Sequence, residues 1–135
     1  MRFRARVISR GYAEGEAIVS RKPVSFLGDV DPESGVIRDR ESDIFGESVA
    51  GKIFVFPEGR GSTVGTYTLL RMKKAGCAPA GIVMVRSEAI VAVGAIIAGI
   101  PLVDMPEADV LEVIESGDHV RVFAEREGWV EVEKR

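Results

Sequence analysis

Lys52-Ile53-Phe54-Val55-Phe56-Pro57-Glu58-Gly59-Arg60-Gly61-Ser62-Thr63 is the stretch that decides the fold. Its first five residues read as a short strand, with the apolar run Ile53–Phe56 of the kind that fills a buried strand. The next turn is rich in glycine, and from Thr63 to Lys74 the chain reads as a helix, with Tyr67, Leu70 and Met72 packing and Gly76 ending it. Strand, tight turn and helix in that order mark the start of an α/β crossover.

Downstream the same grammar repeats. Ala80–Val85 reads as a second buried strand. Ser87 and Glu88 start a helix, Glu88–Ala98, that is apolar nearly all round and therefore expected to be buried. Pro101-Leu102-Val103 is a third strand. Pro106 and Glu107 open a third helix carrying Val110, Leu111 and Ile114, which Gly117 stops. His119–Phe123 and Trp129–Val132 form a hairpin across Glu125–Gly128.

Upstream, residues 2–8 alternate, with Arg2, Arg4 and Arg6 on one face and Phe3, Ala5 and Val7 on the other. That period of two predicts a half-buried strand with its arginines in solvent or turned to an anion or a subunit. Gly11 and Gly15 are read as bracketing a turn, and Glu16–Val19 as extended. Residues 23–48 are dense in turn formers with little apolar run, which suggests a lid or contact loop offering little core. The fold class expected is α/β, one domain over residues 1–135, with a mostly parallel sheet at its centre and antiparallel strands from the termini.

Composition narrows the function. The chain has 135 residues, 46% hydrophobic and 29% charged, with a net charge of −3. That balance is globular, and without a Lys/Arg block it argues against a nucleic-acid partner. A single cysteine, Cys77, excludes an internal disulfide and any multi-thiolate metal site built from this chain alone. It is expected to be buried and inert. No apolar signal core follows Met1, and Ala89–Val103 is broken by glycines and Pro101, so a cytoplasmic location without a membrane is expected.

The glycine-rich turn is the candidate site, because ligands of α/β sheets bind outside the carboxyl ends of the strands. Gly59 and Gly61 allow close backbone approach, the N–H groups of the following helix favour an anion, and Arg60 adds a planar cationic fork. These effects converge on Ser62. Its hydroxyl is either a base whose alkoxide they stabilise or the cap of the helix, a role Thr63 could share. Related motifs fail: no lysine stands where a Walker A loop needs one, and glycines 59, 61 and 65 are spaced one residue too widely for a dinucleotide fingerprint. Gly61 directly before Ser62 is not a hydrolase elbow. His119, the lone histidine, is expected as a partly exposed strand residue rather than a triad member. Arg86, ending the second central strand, is read as solvated or turned into the cleft.

Gly59-Arg60-Gly61-Ser62 after an apolar strand, together with Ala13–Ala17, Ser25–Pro32 and Gly94–Pro101, resembles the small subunits of the aconitase X group, in particular those of the phosphomevalonate dehydratases. The resemblance spans roughly residues 5 to 122 of the 135. It implies a swivelling β/β/α domain like the mobile domain of aconitases, paired as a heterodimer with a large subunit that holds a [4Fe-4S] cluster. The implied reaction is dehydration of (R)-5-phosphomevalonate to trans-anhydromevalonate 5-phosphate in the archaeal mevalonate pathway, a step of isoprenoid biosynthesis. The group's catalytic serine falls on Ser62, with Arg60, Gly61 and Thr63 around the phosphorylated substrate. At position 29, where that group leads one to expect a second glycine, this chain has Asp29. Two other expectations stay open: the small subunit of a cis-3-hydroxy-L-proline dehydratase, and a non-catalytic anion-binding swivel module.

Overall fold

Phe54 and Phe56 point one way from their strand and Ile53 and Val55 the other, and all four are fully buried. This strand divides two hydrophobic cores, one on each of its faces. Burial on both sides requires a covered sheet, and the computed structural model, which describes residues 1–61 and 63–135, shows how the covering is done.

The strands are β1 (Arg2–Ser9), β2 (Gly11–Val19), β3 (Ile53–Phe56), β4 (Gly81–Met84), β5 (Leu102–Asp104), β6 (His119–Ala124) and β7 (Gly128–Glu133). They close into a barrel in the order β1-β5-β4-β3-β2-β6-β7, with β7 returning to β1. β2 to β5 run parallel, as the strand–helix repeat predicts, and β1, β6 and β7 add the antiparallel part. The barrel interior is filled by mostly short aliphatic side chains, among them Ala17, Ile53, Val55, Val83, Val103, Val120 and Val130. Small side chains suit the narrow bore of a small barrel.

The second core lies outside the parallel strands, under the helices α1 (Phe26–Asp29), α2 (Thr68–Ala75) and α3 (Ala89–Ala98). α4 (Val110–Val113) plugs the barrel with Val110, and the following Ile114 is buried beside it. Gly76 and Gly99 end α2 and α3 in left-handed caps, φ +77° and +69°.

Several sequence expectations are corrected. Gly11 and Gly15 lie inside β2 instead of at a turn. A Cβ at Gly11 would meet the Pro101 ring at 2.8 Å, and one at Gly15 the Gly51 carbonyl at 3.1 Å, so these glycines serve close packing. The helix expected from Thr63 begins as a 3₁₀ turn, Thr63–Tyr67, and becomes α-helical only at Thr68. The helix expected from Pro106 is cut to one turn, bounded by non-helical backbone at Asp109 (ψ +89°) and extended backbone at Ile114 (ψ +128°).

Residues 23–48 are no bare loop. They bury Val24, Phe26, Val30, Ile37 and Ile44, with Phe26 packed edge-on to Phe54 and Phe56. α3 departs the other way, since one side of this wholly apolar helix is bare to solvent.

Candidate active site

The parallel strands β2 to β5 all end on one rim of the barrel, and the loops leaving them meet there. The turn after β3 is fastened first to the segment following β2. The Val24 N–H donates to the Glu58 carbonyl and the Arg60 N–H to the Val24 carbonyl, each at 3.0 Å. The turn after β4 joins through Val85 and Arg86, whose N–H groups both donate to the Pro57 carbonyl at 3.1 Å. β5 is tied in by the Met105 N–H, which donates to the Val85 carbonyl at 3.0 Å. The glycine-rich turn is therefore held by its backbone on both sides.

The two glycines have separate reasons to be glycine. A Cβ at Gly59 would lie 2.5 Å from Glu88 Oε1 and 2.7 Å from Val91 Cγ2. Glu88 cannot swing aside without loss, because its carboxylate caps α3 by accepting from the N–H groups of Ile90 (2.8 Å) and Val91 (3.0 Å). Gly61 has φ +107°, and a Cβ there would meet Ser25 Oγ at 2.7 Å.

Arg60 carries the local charge. Its Nη2 sits 3.1 Å from Asp29 Oδ2 and 3.5 Å from Asp39 Oδ2, with the side chain 55% exposed. Asp29 Oδ2 also accepts the Ser25 N–H at 2.8 Å, so one carboxylate links α1, Ser25 and the arginine. Beside them opens a cavity of about 200 Å³ lined by Lys22, Pro23, Asp39, Glu41 and Arg60. Before any anion binds, Nη2 of the Arg60 guanidinium is already paired with two carboxylates of its own chain.

Of the predicted site residues, Arg60 and Gly61 stand together on this rim, and the backbone of Thr63 opens the 3₁₀ turn. Ser62 lies outside the described residues. The helical N–H groups next to it in sequence belong to the 3₁₀ turn, not to an α-helix.

A second constellation on the same rim escaped the sequence reading. Asp104, at the end of β5 and 0% exposed, accepts from Arg6 Nε and Nη2, each at 2.8 Å, and from the Ser87 N–H (2.9 Å) and Ser87 Oγ (2.7 Å). Burial pushes its carboxyl up, but the hydrogen bonds from Arg6 and Ser87 outweigh that and hold it below the usual carboxylate range. Arg6 makes this pair from the solvated stripe, its side chain 58% exposed, while Arg2 and Arg4 lie over the Trp129 ring. Next to it Met105, in the left-handed region at φ +49°, edges a cavity of about 430 Å³ with Val85, Pro106, Ala108 and Asp109.

The remaining candidates sit apart. Arg86 is exposed. Cys77 is buried, with its thiol 3.3 Å from the Pro32 carbonyl and pushed up in pKa by burial. His119 is half-exposed on β6 and paired to Glu14 at 2.9 Å. Among the described residues no three His, Cys, Asp or Glu side chains gather to hold a metal ion, and no helix is long and apolar enough to cross a membrane.

Residues 2–132 match the aconitase X swivel domain. The chain belongs to the aconitase X swivel-domain family. Its relatives include proteins named phosphomevalonate dehydratase small subunit from Thermococcus onnurineus, 54% identical over 99% of this chain and 100% of the relative. A protein of the same name from Methanosarcina mazei is 50% identical over 100% of this chain and 93% of the relative. The crystal structure of Thermococcus kodakaraensis aconitase X in its holo-form superposes with a TM-score of 0.93 at 52% identity, covering 99% of both chains. A UPF0107 protein solved by NMR in solution superposes with a TM-score of 0.91 at 48% identity, over 99% of this chain and 100% of the other. The swivel-domain fold expected from the motifs is thus the fold of this chain.

Proposed function

We propose that this swivel domain is the small subunit of a two-subunit hydro-lyase that dehydrates (R)-5-phosphomevalonate to trans-anhydromevalonate 5-phosphate. The observation that carries this reading is likeness over the whole length, at about half of all positions, to relatives bearing the dehydratase small-subunit name. The reading also places the pair in the cytoplasm.

Loss of water across a C–C bond needs a base for the carbon-bound proton and an acid for the departing hydroxyl. This chain supplies the base side. Ser62 directly follows Gly61 in the sequence; as the alkoxide it takes the carbon-bound proton and becomes the hydroxyl, with the N–H groups of the 3₁₀ turn favouring the alkoxide form. Arg60 faces the substrate's anionic groups. Asp29 and Asp39 set the direction of its fork before substrate arrives, and a bound anion competes with them for it. Gly61 and Thr63 line the approach with backbone.

The chain does not supply the acid. A [4Fe-4S] cluster, which this reading assigns to the large subunit, would serve as the Lewis acid when bound there. The lone thiol of this chain is buried against Pro32 and does not fit such a group.

The test is reconstitution. Alone, the chain is expected to be colourless and inactive; mixed with the large subunit encoded by the same organism, it should dehydrate 5-phosphomevalonate. Robust turnover by the isolated chain overturns the two-subunit reading, and turnover of cis-3-hydroxy-L-proline but not of phosphomevalonate by the mixture overturns the substrate.

A further inference from the structure

From Ala89 to Ala98 α3 has no polar side chain. Val91, Gly94, Ala95 and Ala98 face the core, whereas Val93, Ile96 and Ile97 are 44%, 56% and 45% exposed. A surface helix of a soluble domain normally turns charged residues outward. α2, packed beside α3 in the same layer, does so with Arg71, Lys73 and Lys74. The contrast between neighbouring helices singles out α3 as a face that something covers.

Two observations say what covers it. The first is size. A ten-residue helix is about 15 Å long; a strip of that length and about 10 Å width falls far short of the roughly 800 Å² per partner that a specific interface needs. The strip is one part of a larger contact, which argues against a helix-on-helix pair of copies of this chain. The second is continuity with the site. The strip begins at Glu88, which caps α3 and abuts Gly59, and half-buried Ile90, one turn before Val93, meets the 3₁₀ turn, its Cγ2 3.6 Å from where a Cβ of Gly65 would stand. A polypeptide that completes the active site over the glycine-rich turn runs directly onto α3.

We propose that the outer face of α3 is a docking surface for the large subunit, with Val93, Ile96 and Ile97 at its apolar centre. This rests on the two-subunit reading above. An apolar strip without charge calls for an equally apolar patch on the large subunit, next to its own share of the active site.

The experiment measures the affinity of the full chain for its large subunit in three variants. Val93→Glu/Ile96→Glu should weaken binding at least 100-fold while the thermal melt of the free chain stays that of the wild type, because both side chains face solvent. Ile96→Gln, which adds no charge and guards against misfolding of the double variant, should lose about tenfold. Lys74→Glu on α2 should stay within twofold. If the wild type binds and the α3 variants bind equally well, the docking surface is overturned and the two-subunit reading stands. If the wild type does not bind at all, the two-subunit reading fails and takes the docking surface with it. A wild-type homodimer that Ile96→Gln dissolves without loss of large-subunit affinity would give the face to a second copy and also overturn the proposal.

Discussion

At position 62 the proposed base and the common helix-capping role make different demands, and one substitution separates them. Ser62→Ala is expected to cost at most about 1 kcal/mol of stability, the worth of a cap. It should cut turnover of the reconstituted pair by on the order of 10²–10⁴, the worth of a positioned base. Turnover measured beside a thermal melt checks this; loss of activity only in proportion to loss of folding would make Ser62 a cap. Arg60→Lys keeps the charge but cannot hold Asp29 and Asp39 while presenting a planar fork to substrate, so KM should rise more than kcat falls. Initial-rate kinetics over a range of substrate concentrations tell the two apart. The turn itself was legible because Gly-Arg-Gly after an apolar strand is a local pattern. The engagement of Arg60 was not, because Asp29 and Asp39 lie in a segment whose turn-forming residues say nothing about where it folds back.

Elements behave differently from residues, since their fate depends on what covers them. β3 could be read from four consecutive apolar residues cut off by a glycine-rich turn, a run long enough for a strand buried on both faces and too short for a helix. The anchors of residues 23–48 could not. Val24, Phe26, Val30, Ile37 and Ile44 reach the core singly, at spacings that follow neither a helix nor a strand. α3 shows the other ambiguity, for an apolar helix looks the same in sequence whether its last face meets its own core or another chain. The tie at the end of β5 spans ninety-eight positions, from Arg6 to Asp104, and no local spacing announces it.

That tie makes an element-scale prediction. Asp104 has a depressed pKa in the folded state, so its stabilisation is complete above the unfolded value of about 4 and is lost as pH falls through the lower folded value. Asp104→Asn should destabilise the domain by about 1–3 kcal/mol at neutral pH, the cost of weakening hydrogen bonds to a buried charge. The gap to wild type should close as the pH is lowered below 4, where wild type loses the same carboxylate. Denaturant melts at neutral pH and at about pH 3 check both the size and the sign. Gly59→Ala should act on two elements at once. The added methyl displaces the Glu88 carboxylate from Ile90 and Val91, uncapping α3 for about 1 kcal/mol, and shifts the turn that carries the site.

For the whole molecule, the barrel gives a rigid body against which the rim segments can be measured. Amides of 38–42, on the exposed outer part of the 23–48 segment, are expected to exchange with solvent much faster than those of β3, and to slow when the large subunit binds over the neighbouring cavity at Arg60. Exchange mass spectrometry of the chain alone and in complex reads this directly. Equal rates in both would show that the segment stays clear of the partner.

The closure of the barrel bears on how the chain is made. β1 finds its two neighbours only in β5 and β7, and the N-terminal amine donates to the Val132 carbonyl at 3.1 Å. On the ribosome, β1 therefore emerges with both edges unsatisfied; one waits for β5 and the other until β7 has been synthesised. Until then β1 offers an open strand edge that invites pairing with other nascent chains. Contacts of such long sequence separation also slow folding after release. With the two ends of the chain side by side, a circular permutant that joins them and opens at the exposed 125–127 turn would make β7, β1 and β2 in succession. It would bring the β1–β7 pairing within one hairpin's reach, and so shorten the time that the β7-facing edge of β1 stands open during synthesis.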